Sequence, residues 1–115
     1  MKRGDIYWAN LRPRSGSEQS GIRPVLIVSN DGLNSYEAWK SIIVLALSSS
    51  MKQFLRGPSV ICLKKGVGGL SEDSFVICHQ ITTVDRGKFT EKIGALPINE
   101  LKIVEGVLKK TLELY

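Results

Sequence analysis

Histidine occurs once in this chain, at position 79, and cysteine only twice, at 62 and 78. Both cysteines fall inside strand-like apolar runs, so two buried free thiols are expected rather than a disulfide framework. His79 adjoins Cys78, and adjacent residues on a strand point to opposite faces, where they cannot readily share a metal ion. With no convincing four-ligand set, the chain is expected to hold no metal and to need no cofactor. Long apolar runs are also missing. SIIVLALS is eight residues, against the ~20 that a membrane span requires. The opening MKRGD leads into a strand-like stretch with no apolar leader, so the cytoplasm is the expected location. Repeats, linkers and low-complexity segments are absent too, which predicts one domain over residues 1–115.

What is present is ordinary in proportion and uneven in charge. Apolar residues make up 43% of the chain, and 16 basic residues stand against 11 acidic ones, a net charge of +5. A basic balance suits a polyanionic partner but leaves RNA, DNA and an acidic protein all open.

Short β-branched and aromatic runs dominate the first hundred residues. Residues 5–11 (DIYWANL), 24–29 (PVLIVS), 41–47 (SIIVLAL), 59–63 (SVICL), 74–80 (SFVICHQ) and 91–96 read as six strands. Between the first two lies a polar, Gly/Ser-rich loop, and residues 64–73, with Gly66, Gly68 and Gly69, must turn. Period then changes. Leu101, Val104, Leu108 and Leu112 recur at three- and four-residue steps, predicting an amphipathic helix of about four turns entered near residues 97–99. Strands first and one helix last, without alternation, predict a mainly β fold, a small antiparallel barrel or half-barrel with a packed helix.

One pairing brings chemistry together. If the second and third strands are antiparallel neighbours with Pro24 opposite Leu47, the chain reverses near Ser35 and Tyr36. Arg23 and Ser48 then meet at one end of the sheet, where the loop of residues 12–22 also emerges. A guanidinium is a planar, permanently charged fork that matches a phosphate bidentately. The Ser48 hydroxyl can donate to a phosphoryl oxygen or accept from a ribose 2′-OH. Glu18 can position a base or ribose hydroxyl, while Gly16 and Gly21 allow close backbone approach. Fixed donors of this kind stabilise a pentavalent phosphorane.

Three blocks carry a family likeness: KRGDIYWANL, GSEQSGIRPVLIVSND and GLSEDSFVICHQITTVD. In this order, and with the terminal helix, they resemble the MazF/PemK family of toxin ribonucleases over nearly the whole chain. The resemblance implies an SH3-like barrel of the CcdB/PemK type, a homodimer, and metal-independent cleavage of single-stranded RNA at short sequences. Attack by the 2′-OH would leave a 2′,3′-cyclic phosphate and a 5′-OH. Arg23 then corresponds to the catalytic arginine of the GxRP element, followed by Pro24, and Ser48 falls where many relatives carry a catalytic threonine. Ser17, Glu18, Gln19 and Gly21 fall in the substrate-binding loop, and Gln80 in a motif associated with RNA contacts. The resemblance further implies a MazE-like antitoxin with a disordered acidic tail.

Two departures stand out. Serine at 48 keeps the hydroxyl but loses the methyl that restrains its rotamer, and Ile22 stands where some members place a histidine. His79 is the candidate stand-in. In-line attack needs a proton removed from the 2′-OH and one given to the leaving oxygen. Arginine is a poor base, so Arg23 is assigned to the phosphorane and to donation to the leaving group, Ser48 to phosphate orientation and Glu18 to the base. Two other readings remain open here: a nucleic-acid-binding regulator that has lost cleavage, and a CcdB-like inhibitor of DNA gyrase.

Overall fold

The computed structural model describes residues 1–11, 21–50 and 57–114. Six antiparallel strands form one sheet: β1 (Asp5–Asn10), β2 (Ile22–Ile27), β3 (Ser41–Ser48), β4 (Val60–Leu63), β5 (Ser74–Asp85) and β6 (Phe89–Ala95). Their spatial order is β4-β5-β3-β2-β1-β6. The mainly β architecture and the terminal helix are as expected, but the sheet is not closed, and β4 and β6 are its two edges.

The continuous apolar runs of β2 and β3 belong to central strands with cover on both faces. Ile6, Leu26, Leu45 and Leu47 pack on one side with Leu101 and Val104 of the helix. Ala9, Val25, Ile27, Val44 and Ala46 pack on the other, against Tyr7 and Phe89, whose rings meet edge-on at 5.9 Å. The helix, α2 (Ile98–Leu112), has the four-turn length predicted for it. It follows Pro97 and ends at Glu113, whose φ of 56° places it in the left-handed region. Leu101 and Val104 are buried, whereas Leu112 at the far end is exposed.

The register between β2 and β3 pairs Val25 with Ala46, Leu26 with Leu45 and Ile27 with Val44. Continued outward, it sets Pro24 opposite Leu47 and Arg23 opposite Ser48, as the sequence predicts. The connection itself is not a simple reversal at Ser35 and Tyr36. Asn30 instead accepts the Leu33 N–H and caps a single helical turn, α1 (Asp31–Asn34), because an Asn side chain readily satisfies a first-turn donor.

Another difference lies in β5, which continues past Gln80 to Asp85. Val76 pairs with Leu47 and Ile81 with Leu45, so residues 77–80 stand against the single residue Ala46. In this irregular stretch β5 bonds outward to β4: Ile77 pairs with Val60, and the Cys78 N–H donates to Ser59 at 2.9 Å. Such a bulge bends a strand while letting it run on. Cys78 is buried there, but Cys62 is only half-buried because β4 is an edge strand. Among the described residues, no helix is long and apolar enough to cross a membrane.

Candidate active site

A cleft of about 500 Å³ opens where β1, β2 and β3 reach the same end of the sheet. Trp8, Arg23, Pro24, Leu47 and Ser48 supply one part of its lining, and Gly69, Leu70, Ser71 and Glu72 another, with Lys92 and Ile93 from β6. Register explains the first group. Trp8 pairs with Pro24, and Ala9 with Arg23, while β3 delivers Ser48 beside them. Arg23 is exposed at this strand end.

Ser48 is almost fully buried, yet its Oγ is held for use. It accepts the Ser50 N–H at 3.1 Å, a local side-chain-to-backbone bond that fixes the hydroxyl at the strand end. The hydroxyl proton and a second lone pair remain for a ligand. Gly21, at the start of the arm leading to Arg23, accepts the Leu11 N–H at 2.8 Å. Its φ of 79° suits glycine and few other residues. This bond pinches the ends of the β1–β2 connection together next to the cleft.

A second cation enters from β6. Lys92 lies 3.5 Å from the buried Asp5 carboxylate, which also accepts the Lys2 N–H at 2.9 Å. Asp5 thereby positions the Lys92 ammonium at the cleft, on the same lining as Arg23.

The structure thus brings Arg23, Pro24 and Ser48 together, with Gly21 adjacent. His79 and Gln80 lie in the β5 bulge and are not part of the cleft lining. His79 instead shares a 2.6 Å hydrogen bond, through Nδ1, with the Ser59 hydroxyl. Ser17, Glu18 and Gln19 lie outside the described residues. No group of three His, Cys, Asp or Glu side chains able to hold a metal occurs among the described residues.

Trp8, Lys92 and Glu72 were not singled out from sequence. Trp8 shares the face of the buried Ile6 in β1 and is nevertheless 37% exposed, because that end of the strand opens onto the cleft. Lys92 and Glu72 gave no local signal, since their approach depends on contacts between distant segments.

Residues 2–112 match the family model of the PemK-like, MazF-like toxin of type II toxin–antitoxin systems. The chain is 36% identical over its full length to a protein named endoribonuclease MazF from Staphylococcus saprophyticus, covering 93% of that relative. Among solved structures it resembles MazF from Deinococcus radiodurans, with a TM-score of 0.80 and 25% identity over 98% of this chain and 96% of that one. It also superposes on a mycobacterial endoribonuclease bound to its cognate antitoxin, with a TM-score of 0.78 and 20% identity over 100% and 97% of the two chains.

Proposed function

Because this chain belongs to the PemK-like, MazF-like toxin family of type II toxin–antitoxin systems, we propose that it is an endoribonuclease that cuts single-stranded RNA. The observation that carries the reading is the meeting of Arg23 and Ser48 in one cleft. The 2′-OH attacks the adjacent phosphorus in line, and the 5′-oxygen leaves, giving 2′,3′-cyclic phosphate and 5′-OH ends. No outside nucleophile and no metal are needed for that transesterification.

Arg23 presents two parallel donors to the non-bridging oxygens, where negative charge builds in the phosphorane. Ser48 donates a third bond and fixes the phosphate, while Lys92 holds the backbone of a neighbouring nucleotide. Pro24 and Gly21 set the backbone that carries the arginine. Glu18 is assigned the 2′-OH proton and Arg23 the proton given to the leaving 5′-oxygen, Ser17 and Gln19 contacts to the strand, and His79 and Gln80 contacts farther along it.

The partner that silences this activity is a MazE-like antitoxin. Its acidic tail competes with RNA for the Arg23 and Lys92 cations and orders on binding. The working unit is a cytoplasmic homodimer.

Incubating the purified chain with mixed-sequence RNA, with and without EDTA, tests the whole reading. EDTA-resistant fragments ending in cyclic phosphate support it. Binding without cleavage supports a regulator, and neither supports inhibition of a protein target such as gyrase.

A further inference from the structure

We propose that Glu72 is a specificity-determining residue that reads the hydrogen-bond donor edge of a nucleobase, guanine above all. This inference rests on the ribonuclease reading and adds to it a base-selecting group on the segment 69–72. Glu72 is the sole carboxylate among the described residues lining the cleft. Other nearby acids are committed. Asp5 holds Lys92, and Asp73 accepts the Lys65 N–H at 2.8 Å and pairs with Lys64. Glu72 contributes its backbone carbonyl to Ser74, and its exposed carboxylate has no partner among the described residues.

Its mounting is rigid. The Gly66 N–H donates to the Leu70 carbonyl at 2.8 Å, Leu70 is buried, and Gly69 rests against the Ile93 carbonyl of β6 so closely that a Cβ there would sit 2.5 Å from the oxygen. A side chain presented from such a fixed segment can discriminate, because little reorganisation is needed to meet the ligand.

Charge then decides what it meets. An ionised carboxylate is an acceptor only and is repelled by phosphate. In a cleft whose cations take the RNA backbone, it is left to accept from bases or sugars. Guanine alone presents two adjacent donors, N1–H and N2–H, which match the two carboxylate oxygens. Adenine and cytosine pair each amino group with an acceptor, and uracil sets its one N–H between two carbonyls. A site built to receive hydrogen bonds rejects analogues that lack the donor.

The full chain is given a randomised RNA, its cut sites are mapped, and kcat/KM is measured on a preferred RNA with guanine or inosine at the selected position. Inosine lacks only the N2 amino group. The wild-type chain is expected to favour guanine at one fixed position and to lose about tenfold in kcat/KM on inosine. Glu72→Ala is expected to equalise guanine and inosine while leaving the melting temperature unchanged, and Glu37→Gln, outside the cleft, is expected to behave as wild type. A wild-type chain that cuts RNA without favouring guanine overturns the proposal. So does a guanine-to-inosine ratio untouched by Glu72→Ala, including the case where all cleavage falls together, which would make Glu72 a proton acceptor instead. A wild-type chain that cuts no RNA overturns the ribonuclease reading itself.

Discussion

Gly94 of β6 lies backbone against backbone on Gly68, leaving no room for a Cβ beside the Gly68 carbonyl. This contact joins a turn to a strand 26 residues later and fixes one part of the cleft lining relative to Lys92 and Ile93. Replacing Gly94 by Ala forces the two segments apart and should cost about 1–3 kcal/mol. Gly106 is the natural control. It sits in α2 with nothing within 4 Å of a built Cβ, so Gly106→Ala should stabilise by up to ~1 kcal/mol. Urea midpoints of the two variants are expected to move in opposite directions.

Arg86 provides a second long-range tie. Its guanidinium donates to the carbonyls of Asn34 at 2.9 Å, Trp39 at 3.0 Å, Tyr36 at 3.1 Å and Leu33 at 3.3 Å. One planar fork thus ties the end of α1 to the chain that leads from it into β3. Arg86→Lys keeps the charge but cannot reach four acceptors at once, so it should destabilise by roughly 1.5–3 kcal/mol. Amide exchange should accelerate over residues 33–39, while kcat stays near wild type because the cleft is elsewhere. Unchanged exchange in the lysine variant would contradict this role.

These ties also mark what a sequence can and cannot reveal. Pro24 and Leu47 bound two β-branched runs of similar length, so an antiparallel register was readable from the strand ends. That register alone placed Arg23 beside Ser48. The helix followed from the spacing of Leu101, Val104 and Leu108. By contrast, the continuation of β5 through residues 81–85 depends on a change of partners at the bulge, which local pattern does not encode. The GVGGL segment reads as a flexible turn until Gly94 is seen against it. Glu72 therefore had no visible connection to the cleft.

The two thiols should differ in reactivity. Burial pushes the Cys78 thiol up to about 11, whereas Cys62 is half-buried on an edge strand. A disulfide-exchange reagent near pH 8 is expected to label Cys62 in the native state and Cys78 only on unfolding. The same shift has a sign for stability. A folded pKa above the unfolded value of 9.0 leaves its contribution intact below pH 9 and removes it as pH rises through about 11. Cys78→Val should flatten the alkaline arm of the stability profile. Rapid labelling of both native thiols would rule out this difference.

Arg23 and Ser48 should separate cleanly into chemistry and mixed roles. Arg23 is exposed, so Arg23→Ala should leave the urea midpoint nearly unchanged while lowering kcat by at least ~100-fold, the loss typical of a transition-state donor. Ser48 is buried and its Oγ accepts the Ser50 N–H. Ser48→Ala removes that acceptor as well as the donor to phosphate, and should lose about 1 kcal/mol of stability alongside activity. Ser48→Thr retains both bonds and adds a methyl that narrows the rotamer choice, so it should recover stability and cleavage together. If Ser48→Ala lowered the midpoint but left kcat unchanged, the hydroxyl would be a strand-end cap alone, and phosphate orientation would have to be reassigned within the cleft. Full cleavage by Arg23→Ala would go further, because no other guanidinium is among the described residues that line this site.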